Sequence, residues 1–328
     1  MSKIEASWYN PNLITWLLLP LSGLFFLLSS LRRLLFRFNL LSTFHPGIPV
    51  IIVGNISVGG TGKTPFTLWL VKLLKSMGLK PAIVSRGYQA NIKTFPHLLS
   101  SKDTAEQVGD EPLLLFEKAQ VPVVIAPQRT KAAAFITQYT NCNIIISDDG
   151  LQHYALDRDL EVILIDGNRQ LGNGFLLPAG PLREGKWRIK DHDLTLYSGI
   201  NDRPNHMQIK PQAPINLLDP NRVFSNLSGA VVAVSAIGNP QRFYQSLAEC
   251  GIDIDQKIEF IDHHQYQKTD FSQLYDQCII MTEKDAVKCR HFATENYWYL
   301  PISAVVSDSF TSTLQNKIQG LVKKYELR

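Results

Sequence analysis

Cysteine is scarce in this chain. Its 328 residues include Cys142, Cys250, Cys278 and Cys289, and no two of them form a Cys-x-x-Cys pair. That spacing excludes a disulfide framework and a cysteine-built zinc site, and it reads as the reduced thiols of an intracellular protein. Charge is also sparse, at 19% Asp, Glu, Lys and Arg with a net of +4. So small a basic excess gives no reason to expect a nucleic acid partner. There is no internal repeat and no low-complexity tract, which excludes solenoids and long disordered linkers.

The most pronounced absence is local. From Leu13 to Leu31 there is no charged residue, and most positions are Leu, Ile, Phe or Trp. As a helix this run is roughly 28 Å long, close to the thickness of a bilayer's hydrocarbon core. Arg32, Arg33 and Arg37 follow at once, and Trp8, Tyr9 and Trp16 suit a membrane interface. A cleaved signal peptide is a poor fit, because Glu5 offsets Lys3 and no small-x-small site follows the run. Pro20 and Gly23 would kink the helix. The segment either spans the membrane or lies in the cytoplasmic leaflet with its arginines on anionic headgroups; a monotopic anchor is the preferred reading. The plainer alternative is a core helix, which seldom lacks a polar face for so long.

The richest motif is Ser57-Val58-Gly59-Gly60-Thr61-Gly62-Lys63-Thr64. An apolar run, Val50–Val53, precedes it, and an apolar-periodic stretch from Phe66 to Leu74 follows. Strand, glycine-rich loop and helix are the setting of a phosphate-cradling P-loop. Glycines let main-chain N–H groups turn toward phosphate oxygens, and the helix start adds its positive dipole end. Lys63 would reach the β- and γ-phosphates of ATP, and the Thr64 hydroxyl would ligate Mg²⁺. Ser57 stands where the usual motif has its first glycine.

Downstream, apolar runs at Ala82–Ser85, Val121–Ala126, Ile144–Ser147 and Glu161–Ile165 alternate with helical stretches at Thr64–Ser76, Glu111–Lys118 and Lys131–Tyr139. The strands are nearly continuous in Val and Ile, as in parallel strands buried on both faces. The expected fold is α/β: a P-loop NTPase-like, doubly wound, mostly parallel sheet with a second, smaller α/β domain and an N-terminal apolar membrane helix. A Pro-rich stretch from Gly199 to Arg222 reads as the connection. The expected division is 1–45 for the anchor, 46–205 for the P-loop domain and 206–328 for the smaller domain.

Ligands of such sheets bind at the carboxyl ends of the strands, where several polar clusters fall. Asp148 and Asp149 end an apolar strand and suit a Walker B element facing Mg²⁺; an Asp-Asp-Gly turn is the alternative. Gln152 and His153 follow and face the same region. Arg86, in Ser85-Arg86-Gly87-Tyr88, and Arg129 suit bidentate contact with substrate or γ-phosphate, or else surface ion pairs. Asp110, in Gly109-Asp110-Glu111-Pro112, reads first as a helix N-cap, although a base for a substrate hydroxyl would sit at the same edge. Asp262-His263-His264 lacks the ligands for zinc and suits a histidine hydrogen-bonded to a carboxylate. The Gly/Pro-rich run from Gly172 to Glu184 reads as a mobile lid ending in Arg183 and Glu184, or as an irregular connection.

Together these motifs resemble the tetraacyldisaccharide 4'-kinase family of lipid A biosynthesis. The match runs through Val53–Pro65, Ser85–Tyr88, Gly109–Pro112, Ser147–His153, Leu177–Glu184, Asp262–His264 and Thr282–Lys288, with the apolar N-terminus besides. In that family the loop tolerates Ser or Thr at the position of Ser57. The resemblance implies an ATP- and Mg²⁺-dependent kinase on the cytoplasmic face of the bacterial inner membrane. It would phosphorylate the 4'-hydroxyl of an acylated glucosamine disaccharide lipid to give lipid IVA, and no obligate protein partner is evident. It implies that Asp110 is the base, supported by His263, with Lys63 catalytic. Nucleotide contacts would come from residues 57–64, Arg183 and Glu184. Metal contacts would come from Thr64, Asp148, Asp149 and Glu184, and substrate contacts from Arg86, Arg129 and Gln152. Two other classes share the loop. A partitioning-type ATPase switch would need a signature lysine where Val58 stands, and a guanine-reading Asn-Lys-x-Asp is absent because Thr282-Glu283-Lys284-Asp285 has the wrong order.

Overall fold

The computed structural model describes residues 3–190, 194–224, 230–274 and 276–326. The chain begins with a short helix, α1 (Lys3–Ser7), and the long apolar helix α2 (Leu13–Arg37), whose N-cap is Asn12. Pro20 and Gly23 both lie inside α2, which continues through them. The P-loop unit follows as β1 (Val50–Gly54) and α3 (Lys63–Ser76). Then come β2 (Pro81–Ser85), β3 (His97–Leu98), α4 (Ala105–Val108), α5 (Asp110–Ala119), β4 (Val123–Ile125), α6 (Arg129–Tyr139), β5 (Ile144–Asp148) and β6 (Leu160–Asp166). After α7 (Trp187–Lys190) the chain adds β7 (Leu194–Ser198) and β8 (His206–Pro211), then β9 (Ile215–Asn216).

The remaining elements are β10 (Val231–Ser235), α8 (Pro240–Glu249), β11 (Gln256–Glu259), β12 (Cys278–Thr282), α9 (Glu283–Cys289), β13 (Tyr297–Leu300), β14 (Ile302–Val306) and α10 (Asp308–Glu326). Two sheets result. The large one has nine strands in the order β14-β8-β7-β6-β1-β5-β2-β4-β3, and the small one has five in the order β11-β10-β12-β13-β9. In the large sheet β1 lies between β5 and β6 and runs parallel to both.

Period-two geometry explains the core. Ile51 and Val53 of β1 face one layer with Phe66, Leu70 and Leu74 of α3, while Val50 and Ile52 face the other with Ala132, Ala133 and Ile136 of α6. The three α3 residues recur every four positions, so one face of that helix is apolar and buried.

The expected boundary between 205 and 206 falls inside the large sheet. The supposed connection supplies β8, which pairs with β7, and the chain returns to this sheet at β14. Helix α10 then packs Phe310, Leu314 and Ile318 into the same core as α3. Burying those three side chains stabilises the return by about 1.5–3 kcal/mol each. The prolines that suggested a linker lie at or beyond the ends of β8, where no ladder N–H is lost.

Helix α2 stands apart from this packing. It is long and apolar enough to cross a membrane, and among its residues only Thr15 and Ser22 are buried. Leu17, Leu24 and Leu28 are 53–69% exposed. An apolar face of that size needs a partner, and a bilayer fits. Replacing Leu17, Leu24 and Leu28 together by Lys is expected to leave the thermal melt nearly unchanged, since none packs in the core. The same variant is expected to stop cosedimenting with phospholipid vesicles. Vesicle binding at the wild-type level would remove α2 as the anchor.

Candidate active site

The P-loop leaves β1 at its carboxyl end. Gly62, with φ at +82°, is the N-cap of α3, and a Cβ there would press Met207 Cε at 2.9 Å. The positive φ is what favours glycine here, since the Met207 side chain could give way. Thr64 is buried at the first turn of α3, and main-chain N–H groups at that helix start remain for an anion. Lys63 Nζ lies 3.5 Å from Asp149 Oδ1 and donates to Asn55 Oδ1 at 3.3 Å.

The next strand, β5, brings Asp148 and Asp149 to the same edge. Asp148 is 2% exposed and accepts from Thr67 Oγ1 at 3.0 Å. Burial, with Glu111 and Asp149 nearby, pushes its carboxyl up to about 6, against the pull of Lys63 and Thr67. Asp149 behaves oppositely: burial raises its pKa, but Lys63, Arg183 and Arg129 more than offset that and hold it below the usual carboxylate range. Its φ of +47° is uncommon for a non-glycine residue. Arg129 is 6% exposed and passes beneath this turn, donating to the carbonyl oxygens of Asp149 at 2.7 Å and Asp148 at 3.3 Å. It therefore braces the turn, and it is not the surface ion pair that sequence left open.

Asp110 is the first residue of α5, not its N-cap; Gly109, with φ at +91°, holds the cap position. A Cβ on Gly109 would meet the Tyr88 carbonyl oxygen at 2.7 Å, so the SRGY loop and the start of α5 touch. The Asp110 carboxylate accepts from its neighbour Glu111 N at 2.9 Å and pairs with His263 Nδ1 at 2.9 Å across the two sheets. Burial pushes Asp110 up, but the His263 hydrogen bond and charge, helped by Lys284 and Lys288, leave it lowered. The same hydrogen bond raises His263 above its ordinary value, against burial.

His263 is itself held in a left-handed conformation, with φ at +62°. Its N–H donates to Ala236 O at 3.2 Å, and Ala236 N donates to the buried Asp285 at 3.2 Å. The Tyr88 ring meets it edge-on at 5.8 Å. His264 pairs instead with Asp270 Oδ2 at 3.0 Å, so only His263 reaches the P-loop side.

The Gly172–Glu184 segment is a compact turn against the P-loop. Val58 N donates to Pro181 O at 2.8 Å and Arg183 N to Ile56 O at 2.7 Å. Arg183 lies 3.3 Å from Asp149 Oδ2. Glu184 is buried among Tyr154, Gln152 and Arg188, with Arg188 Nε at 3.2 Å. Gln152 also donates to Asn55 O at 3.0 Å. Among the described residues, no three His, Cys, Asp or Glu side chains gather closely enough to hold a metal. The expected set of Thr64, Asp148, Asp149 and Glu184 is thus not preassembled, because Glu184 is turned into its own network. Asp148 alone has the character of a waiting ligand: a buried oxygen donor with too little positive charge beside it. Arg86 is exposed at the end of β2.

Several participants were not read from sequence. Arg188 bridges Glu184 and Glu161, and Arg158 pairs with Glu161 at 2.7 Å. The i,i+4 spacing of Glu184 and Arg188 was the available signal. His153, which sequence did place near the site, lies under the field of Arg129, Arg158, Arg32 and Arg86; burial and those charges push it down to about 4. Its Nε2 is buried with no partner among the described residues. Lys284 pairs with Glu111, Lys118 with Glu283 at 2.7 Å and Arg290 with Glu117 at 2.9 Å, so three ion pairs clip α9 and its C-cap to α5.

Sheet order, glycine loop and clustered charge define an α/β phosphoryl-transfer enzyme of the P-loop type. Comparison carries this further. The family model described as tetraacyldisaccharide-1-P 4'-kinase matches residues 14–319. A tetraacyldisaccharide 4'-kinase of Pseudoalteromonas translucida is 46% identical, with 98% of each chain covered. That of Colwellia psychrerythraea is 44% identical, covering 98% of this chain and 99% of its own. The crystal structure of LpxK from Aquifex aeolicus, in complex with ATP, superposes with a TM-score of 0.79 at 28% identity, covering 94% of this chain and 99% of that one. The chain belongs to the tetraacyldisaccharide 4'-kinase family, and it is a kinase of lipid A biosynthesis, not a partitioning ATPase or a GTPase.

The raised Asp148 carboxyl has a measurable consequence. Its native pKa of about 6 exceeds the ordinary 3.8, so the folded state binds this proton more tightly than the unfolded one. Stability then falls as pH rises through that window, by on the order of 2–3 kcal/mol. Asp148→Asn is expected to raise the melting temperature of the metal-free protein at pH 7.5 and to give no gain near pH 4. Equal melting at both pH values would mean that Asp148 is not strained.

Proposed function

We propose that this protein transfers the γ-phosphoryl group of ATP to the 4'-hydroxyl of a tetraacylated glucosamine disaccharide 1-phosphate. The observation that carries the reading is the Asp110–His263 pair, which lies at the carboxyl edge beside the P-loop and joins the two sheets. Electrostatic coupling of Glu111 to Lys63 and of Asp148 to Glu111 supports the closeness of the α5 start to the loop.

The P-loop amides and Lys63 would grip the β- and γ-phosphates, drawing Lys63 from Asp149 and Asn55. Preorganised donors of this kind stabilise the charge that spreads over the moving phosphoryl group. Asp110 would accept the proton of the sugar hydroxyl. His263, whose cationic form Asp110 favours, would orient that carboxylate and favour its ionised form. Arg183, on its short turn, would follow the nucleotide. Arg86 and Gln152 suit the anionic and hydroxyl groups of the substrate, with Arg129 and the field around His153 behind them. Thr64 and Asp148 would hold Mg²⁺, with Asp149 and Glu184 completing the set once their present partners yield. When bound, Mg²⁺ would neutralise charge on the β/γ oxygens.

The exposed face of α2 would keep the enzyme on the cytoplasmic face of the inner membrane, where the acylated substrate resides. Drawing acyl chains into water costs about 0.8 kcal/mol per methylene, so the site has to come to the lipid. The two sheets suggest a division into a large P-loop unit, with β14 and α10 added, and a smaller unit around β9–β13.

The direct test is incubation with labelled ATP and the acylated disaccharide 1-phosphate, followed by location of the new phosphate on the sugar. Label on any position but the 4'-oxygen would overturn the reading. Asp110→Ala is expected to lower kcat by about 10²–10⁴-fold, and Lys63→Ala by about 10²-fold or more, both with an intact fold. In His263→Ala, Asp110 loses the imidazole hydrogen bond that lowers its pKa, while burial still raises it. The acid limb of the kcat/KM profile is therefore expected to move to higher pH; an unmoved limb would separate His263 from the base.

A further inference from the structure

We infer that Ser22 and Trp8 are positioning residues for the nucleotide site, and that seating α2 on a lipid surface tightens nucleotide binding. The inference rests on the nucleotide contacts proposed above for the P-loop and Arg183.

The carrying observation is a continuous run of hydrogen bonds from α2 to the P-loop. On the helix side, Ser22 Oγ donates to Leu176 O at 2.9 Å and accepts from Ala179 N at 2.9 Å. Trp8 Nε1 donates to Pro178 O at 2.9 Å, and Trp8 O accepts from Asn173 N at 2.7 Å. Within the strap, Asn173 Nδ2 donates to Ala179 O at 2.8 Å, and Leu177 N to Leu182 O at 2.8 Å. On the far side, Pro181 O takes Val58 N, Ile56 O takes Arg183 N, and Leu182 bridges Ser57. Residues 172–183 are therefore clamped between the membrane helix and the loop that grips phosphate.

Ser22 is placed as a coupling residue would be. A serine within a helix usually returns its hydroxyl to its own carbonyl four residues back. Here the hydroxyl leaves the helix and uses both its donor and an acceptor site on the strap. Every other polar side chain along the middle of α2 is partly or fully exposed. One turn further along the strap's continuation, the Arg33 guanidinium of α2 stacks 3.3 Å from the Trp187 ring centre. Arg188, next in sequence, holds Glu184. Thus α2 reaches both Arg183 and Glu184 through short packed routes.

The occupant of the outer face of α2 is a bilayer. The face is apolar along its length, and the exposed Arg32 and Arg37 lie at its end, suited to anionic headgroups. A helix free in water can shift against the strap; one embedded in lipid has its depth and rotation fixed. Fixing α2 fixes the strap, and the strap fixes Arg183 and the P-loop entrance. Linkage then demands reciprocity: the factor by which lipid tightens nucleotide binding equals the factor by which nucleotide tightens lipid binding.

The test uses the full-length protein, an ATP analogue with a non-hydrolysable β–γ bridge, and vesicles of mixed zwitterionic and anionic phospholipid. In the wild type, vesicles are expected to lower the analogue Kd by about three- to tenfold, and the analogue to lower the apparent vesicle Kd by the same factor. Ser22→Ala, which leaves Leu176 O and Ala179 N without their partner, is expected to bring both factors to one while still binding vesicles. Ser22→Thr restores the hydroxyl and is expected to restore the coupling; Trp8→Phe, which removes only the indole N–H, is expected to weaken it. Identical analogue affinity with and without vesicles in the wild type would overturn the inference, as would full coupling in Ser22→Ala. An Arg183→Ala control separates the two levels. If it binds the analogue like the wild type, the underlying site reading fails; if it binds weakly while Ser22→Ala keeps full coupling, only the positioning role fails.

Discussion

The hydrogen bond between Asp110 and His263 joins two sheets that share no strand, and much of the surrounding structure exists to hold it beside the P-loop. Asp110 opens α5 behind a glycine that no other residue can replace without striking Tyr88. His263 sits in a left-handed turn tied through Ala236 to a buried carboxylate. Three ion pairs from α5 to α9 and its C-cap keep the two sides in register. None of these supports is strong alone, since exposed and half-exposed ion pairs contribute little. Together they confine one carboxylate and one imidazole to a geometry that neither sheet could set by itself.

The second organising constraint is negative charge gathered in a dry place. Asp148, Asp149, Glu111 and Glu184 all lie near the carboxyl edge of the large sheet, and the chain treats each differently. Asp149 is matched by Lys63 and Arg183, Glu111 by Lys284, and Glu184 by Arg188 and two hydroxyl- or amide-bearing neighbours. Asp148 has a hydrogen bond from Thr67 and the more distant charge of Lys63, which together do not offset its burial. Such unevenness costs stability at neutral pH, and it is the arrangement expected where a cation and a triphosphate are to arrive together. Positive charge gathers instead around His153, from Arg129, Arg158, Arg32 and Arg86, although Arg158 is tied to Glu161 and Arg129 to the Asp148–Asp149 turn.

Much of this was legible in the residue order. The strand–loop–helix unit around Gly62-Lys63-Thr64 announces itself because period-two and near-period-four apolar patterns flank a glycine cluster. The strands β1, β2, β5 and β6 are continuous in Val and Ile, so their burial on both faces is written in composition. Other parts were not legible. Strand β8 lies in a stretch whose prolines suggested a linker, yet it joins the large sheet, and β14 returns to pair with it. The β8–β14 pairing joins residues as far apart as Met207 and Val306, a contact no local pattern encodes. Asp110 looked like a cap because a carboxylate before a helix usually is one; the imidazole that it pairs with instead comes from residue 263.

Sequence by itself determined the chemistry available: which groups can hold phosphate, which can take a proton, and that one long run must avoid water. These are properties of side-chain types and short spacings. Tertiary structure decided which groups meet. It chose His263 over His264, turned Glu184 inward to Arg188, slid Arg129 beneath the Asp148–Asp149 turn, and tied Ser22 of the apolar helix to the strap over the P-loop. The reason is physical: a hydrogen bond or a desolvated charge depends on distances of a few ångströms, and those are set by how sheets and helices pack, not by how far apart two residues stand along the chain.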